Sequence, residues 1–216
     1  MSALELPPNE DSDVTSRNIC LLAVPQPSTD GQAHLSGVRG EIEIIRKLAS
    51  SSPFIPFQDA DGTVEDVLSK MTQTEWVHFA CHGTQDRQNP YDSGFLLAHG
   101  KRLKLPDIAR LSRPHGGLAF LSACHTATGD AQLSEEAIHI AAGMLLAGYR
   151  SVIATMWTIL DNDAPRVTKD VYKSLFSDGK VPDSRQAAEA LHDAIEQLRD
   201  SGASFLSWVP FIHVGL

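Results

Sequence analysis

The chain has no surplus of positive charge. Its 18 Lys and Arg stand against 27 Asp and Glu, giving a formal net charge of −9 with the acids spread along the sequence. Nucleic acid and anionic membrane surfaces attract basic patches, so neither is expected as a partner; a basic peptide or protein suits the field better. Cysteine is scarce as well. Cys20, Cys81 and Cys124 are scattered over 216 residues with no Cys-x-x-Cys pair. That odd set is neither a disulfide framework nor a zinc-finger spacing, and it fits a reducing, cytoplasmic compartment. Long apolar runs are missing too: the strongest, "AIHIAAGMLLAGY", is too short and interrupted to span a bilayer and reads as a buried helix. The opening stretch "MSALELPPNEDSDVTSRN" has neither a basic n-region nor an apolar h-region, so no secretory signal is expected. There is no Gly-x-Ser-x-Gly elbow, no His-Glu-x-x-His, no internal repeat and no low-complexity tract. "GFLLAHGKR" approaches a phosphate loop, but its spacing is one residue too long and Arg102 stands where Ser or Thr is required.

What is present is an ordinary globular composition, 42% hydrophobic and 21% charged, in a chain long enough to bury a core without staples. Residues 1–17 are polar, acidic and proline-bearing and read as a mobile N-terminal arm; residues 18–216 read as a single domain. Apolar runs "NICLLAV", "EWVHFAC", "GLAFLSA" and "SVIATMW" are expected as buried strands. Between them lie helical patterns. Leu35, Val38, Ile42, Ile45 and Leu48 mark an amphipathic helix with a charged back. Val64 to Met71 reads as a short helix capped by Thr63 or Gly62. "LPDIARLS" has Pro106 placed for N1. A helix over residues 137–147 is capped by Ser134 and stopped at Gly148. Two more helices follow over residues 164–176 and 184–199. "FLLAHGKRLKL" reads as a hairpin turning at His99-Gly100. "FLSWVPFIHVGL" is an apolar tail that has to pack somewhere. Strands alternating with helices make this an α/β fold with a mainly parallel central sheet and helices on both faces.

In such sheets, ligands bind beyond the carboxyl ends of the strands, and two strands here end in reactive residues: "WVHFACHG" at His82 and "GLAFLSAC" at Cys124. Parallel strand ends side by side bring the thiol and the imidazole into reach. An imidazole that takes the proton and stabilises the thiolate is what a cysteine nucleophile needs. Gly83 follows directly; glycine allows close backbone approach, and its N–H, with that of Cys124, could hold an oxyanion.

"WVHFACHG", "LAFLSACHTATGD", "AAGMLLAGYRSVIATMWTILDNDAP" and "WVPFIHVG" together resemble the CHAT domain, a caspase-like cysteine peptidase module related to separases and more distantly to caspases and gingipains. The resemblance covers nearly all of residues 35–216. It implies a caspase–haemoglobinase-like fold and a cysteine endopeptidase with a His–Cys dyad, His82 of "CHG" being the general base and Cys124 of "SACHTA" the nucleophile, with Gly83 in the oxyanion role. By likeness to separases, Asp161 or Asp163 is the acid that pairs with a basic P1 side chain. The implied partners are a protein or peptide substrate and an activating or inhibitory protein; no cofactor and no metal are implied.

Plainer readings stand beside these. Cys124 is on its own terms a buried thiol as much as a nucleophile. Cys81 has the opposite strand parity to His82 and is expected to pack inward; His78, in mid-strand, is expected as a hydrogen-bonded core histidine, and His125 as a rim residue. A metal site from His78, Cys81, His82, Cys124 and His125 would lack any recognised ligand spacing. The acids of "DNDAP" suit a helix cap as well as a pocket. The alternative to a peptidase is a catalytically silent CHAT-like interaction module in a larger signalling or death-type assembly.

Overall fold

A computed structural model describes residues 19–26, 28, 34–50, 52–57, 62–84, 89–112, 116–122, 124–125, 134–157, 159, 162–177 and 181–215. The N-terminal arm expected over residues 1–17 lies outside them. In chain order the elements are β1 (Leu21–Pro25), α1 (Gly37–Leu48), β2 (Phe54–Pro56), α2 (Val64–Met71), β3 (Trp76–Ala80), β4 (His82–Thr84), β5 (Gly94–Leu96), β6 (Arg102–Lys104), α3 (Leu105–Ala109), β7 (Gly116–Leu121), β8 (Cys124–His125), α4 (Ser134–Leu146), β9 (Tyr149–Thr155), α5 (Ala164–Leu175), α6 (Ala187–Asp200), α7 (Phe205–Trp208) and β10 (Phe211–Gly215).

Six strands form the main sheet in the order β10-β9-β7-β3-β1-β2. All its pairings are parallel except β10 on β9. The cause is visible in the strand sequences. β1 and β3 are buried at every position, as parallel strands covered on both faces must be, and successive residues divide between two cores. Leu21, Trp76, Leu118 and Phe120 face α1, α5 and α6, where Ile45, Val171 and Leu191 meet them. Leu22, Val77, Phe79 and Ala119 face the opposite core with Met71 of α2, Ile108 of α3 and Met144 of α4. Cys81 is fully buried in that second core, as its parity predicts.

Local signals hold at several ends. The Thr63 hydroxyl accepts from the Asp66 N–H at 3.2 Å and caps α2. The turn between β5 and β6 places His99 and Gly100 at positive φ, 58° and 65°, as the hairpin reading requires. Gly148 ends the α4 segment at φ 104°. At Gly116 a Cβ would lie 2.6 Å from the Gly148 carbonyl oxygen, so β7 and β9 start side by side only because that position is bare.

Two features differ from expectation. The apolar tail does not all pack: β10 completes the sheet against β9, but Phe205 and Leu206 of the four-residue α7 are 63% and 64% exposed. A helix of barely one turn has too little surface to bury every apolar side chain it carries. The second feature is a small additional sheet, ordered β6-β5-β4-β8, beyond the ends of β3 and β7. It is held to the main core by Phe95 of β5, which stacks on Phe79 of β3 with ring centroids 4.3 Å apart. No helix among the described residues is long and apolar enough to cross a membrane.

Candidate active site

β3, β7 and β9 are neighbours and parallel, so they discharge their chains at one edge of the main sheet. After β3 the chain breaks at Cys81 and resumes as β4, beginning with His82; beyond β7 it resumes as β8, beginning with Cys124. β4 and β8 pair in parallel with His82 opposite Cys124 and Gly83 opposite His125. The same register offset runs through β3 and β7, where Val77, His78 and Phe79 face Ala119, Phe120 and Leu121. The backbone therefore sets the two sequence-predicted reactive residues directly across from each other, in a short second ladder. His82 is fully buried. Gly83 is buried between two strands, facing His125 on one side and Phe95 of β5 on the other.

The exit of β9 flanks the same edge. Trp157 lies just beyond the strand, and its indole N–H is buried with no hydrogen-bond partner among the described residues. Asp163 occupies the N-cap position of α5, but its side chain makes no capping bond. One carboxylate oxygen lies 3.7 Å from the Arg166 guanidinium; the other, Oδ2, is buried without a hydrogen-bond partner among the described residues. Arg166 is half exposed and donates at 2.6 Å to the Ser201 hydroxyl, so its charge is shared. A buried carboxylate oxygen left open in this way is costly and invites a donor. Asp161, the other candidate acid, lies outside the described residues.

Behind the strand ends is a polar cluster that sequence reading missed. Glu41, a charged residue of α1, is 2% exposed. Its Oε1 accepts from the Ser122 hydroxyl at 3.1 Å, and its Oε2 from His78 Nε2 and the Thr168 hydroxyl, both at 3.0 Å. The Tyr172 hydroxyl lies 3.3 Å from His78 Nδ1. His78 is thus the hydrogen-bonded core histidine expected of it. A signal for Glu41 did exist: it falls three residues after Val38 and four before Ile45, on the apolar stripe.

Burial, with the Glu41 charge nearby, pushes the Tyr172 phenol well above its ordinary value, so the hydroxyl stays a donor to His78. A group with a raised native pKa keeps its proton when the unfolded chain has lost it; its stabilising contribution is complete below pH ~10 and fades as pH rises beyond. Tyr172→Phe removes this dependence. The drop in melting temperature between pH 9 and pH 11 is expected to be smaller in the variant than in the parent protein, by thermal denaturation followed by circular dichroism.

Comparison with known proteins matches residues 2–216 to the family model described as CHAT domain. No curated protein sequence matches. Among solved structures, the Arg-specific cysteine proteinase gingipain R superposes with TM-score 0.55 at 14% identity, covering 91% of this chain and 45% of that one. The complex of the RgpB pro- and mature domains from Porphyromonas gingivalis gives TM-score 0.54 at 13% identity, covering 92% and 47%. The Saccharomyces cerevisiae separase–securin complex gives TM-score 0.53 at 15% identity, covering 93% and 12%. The chain spans less than half the length of each of these. At such identities the likeness is one of fold: a mostly parallel, caspase-like α/β sheet.

Proposed function

The chain belongs to the CHAT domain family, and on that premise we propose that it is a cysteine endopeptidase cleaving after a basic P1 residue, with His82 and Cys124 as its dyad. The observation that carries the reading is the β4–β8 register, with His82 facing Cys124 at the edge where β3 and β7 end. His82 takes the thiol proton. The thiolate attacks the scissile carbonyl carbon, and the backbone N–H groups of Gly83 and Cys124 hold the oxyanion. Collapse of that intermediate breaks the C–N bond, and the proton on His82 passes to the leaving amine. Water, activated by His82, then hydrolyses the thioester and regenerates the thiol.

Specificity is assigned to the β9 exit. The unpartnered Asp163 Oδ2 favours a guanidinium or ammonium donor, and the net charge of −9 favours the same ligands. The complete burial of His82 supports regulation: a peptide reaches that ring only after the surrounding chain shifts, which suits a site opened by a protein partner.

A peptide probe with Arg at P1 and a thiol-reactive warhead is expected to label Cys124, and labelling is expected to fall at least about tenfold in Asp163→Asn. Mass spectrometry of the digested protein reads both. A probe that leaves Cys124 unmodified, even with candidate activators present, would overturn the peptidase reading in favour of an interaction module. Equal labelling of the Asp163→Asn variant would remove Asp163 from specificity.

A further inference from the structure

The ladder that aligns His82 with Cys124 is interrupted. Neither Cys81 nor Ser122 belongs to a strand, yet the register of β3 on β7 reappears unchanged in β4 on β8. A slip of one residue would set His82 opposite Ala123 or His125 instead of Cys124. The two chains cross the break with equal numbers of residues, which permits the shared register, and the Glu41 carboxylate is placed to hold it. It holds one residue of each chain: His78, four before His82, and Ser122, two before Cys124. Both bonds are buried and end on the same side chain, so the two chains are tied through α1 just before they part from the main sheet.

Resting on the dyad reading above, we propose that Glu41, acting through Ser122, is a positioning residue for the Cys124–His82 pair. The cluster contains its own control. Thr168 donates to the same carboxylate at the same distance as His78, but it belongs to α5 and is part of neither reactive chain. Removing its hydroxyl takes one bond from Glu41 just as removing that of Ser122 does. The structural cost is shared; the effect on the pair is not.

The test compares the full chain with Ser122→Ala and Thr168→Val. Iodoacetamide alkylation at Cys124 is followed against pH by mass spectrometry, with melting temperature as the record of general damage. In the parent protein the alkylation midpoint is expected below the value of about 8.5 for a free thiol, because His82 stabilises the thiolate. Ser122→Ala is expected to raise the midpoint by about one pH unit and to lower kcat about tenfold on an Arg-P1 peptide with KM unchanged. Thr168→Val is expected to keep the parent midpoint at a comparable loss of melting temperature, and Ser122→Thr, which retains the hydroxyl, is expected to keep it too. A depressed parent midpoint that Ser122→Ala leaves in place, or that Thr168→Val raises equally, overturns the positioning role and leaves the dyad standing. A parent midpoint at the free-thiol value overturns the dyad, and this inference with it.

Discussion

Cys124→Ala is expected to lower kcat/KM on a basic-P1 peptide by at least about a thousandfold while leaving the melting temperature nearly unchanged. The rate loss follows from removing the atom that forms the covalent bond: what remains is oxyanion binding and substrate binding, which support only a small residue of catalysis. The fold is spared because the pairing of β8 with β4 is made by backbone, and Ala supplies the same backbone groups. Two neighbours make the contrast specific. Cys81→Ala alters a fully buried position in the second core, so it is expected to cost stability on the order of 1 kcal/mol and to leave activity in place. His82→Ala empties a fully buried site and is expected to lose both stability and rate. Steady-state kinetics and thermal melts on the three variants separate these outcomes. A Cys124→Ala protein that still turns over the peptide would place the nucleophile elsewhere.

The burial of Cys81, against the opposite parity of His82, was legible in sequence because strand parity carries it. "WVHFACHG" sends Val77, Phe79 and Cys81 to one core and Trp76 and His78 to the other, and the structure keeps that division. The main sheet could be read for the same reason: four apolar runs, each long enough to be buried on both faces, separated by helices with clear stripes. The second sheet could not. β4 is three residues, "HGT", and β8 is two, "CH". Such pieces are too short to show any periodicity, and they exist because the main strands deliver them side by side. β10 was hidden differently. Its "FIHVG" reads as the end of an apolar tail, and only antiparallel pairing with β9 makes it a strand.

The candidate site shows the same division. His82 and Cys124 announced themselves by residue type at strand ends. Asp163 was ambiguous between cap and pocket, since an acid at the start of a helix suits both; the structure shows only that the side chain makes no bond to the helix N–H groups. Glu41 was not legible because charge on an amphipathic helix normally faces water. Its burial depends on three donors from elements 37, 81 and 127 positions away in the chain, and no local pattern encodes their convergence.

That convergence sets the largest stability effect expected in the described structure. Glu41→Ala is expected to cost about 3–5 kcal/mol, the scale of leaving several buried donors without an acceptor, and for a chain of this length each kcal/mol lowers the melting temperature by roughly 2–4 °C. The methyl group leaves His78, Ser122 and Thr168 without their acceptor in a region where His78 and Thr168 have no exposure to water. Unsatisfied donors account for most of the loss, and the cavity left by the carboxylate adds to it. Glu41→Gln is expected to cost much less. Its carbonyl can stand where Oε2 stands and accept from both His78 and Thr168, while its amide N–H₂ faces Ser122, whose hydroxyl can turn to accept. Chemical denaturation gives the two values with m compared across variants. If Ala and Gln at position 41 cost the same, hydrogen bonding to the carboxylate is not what holds the cluster, and charge alone would have to account for its burial.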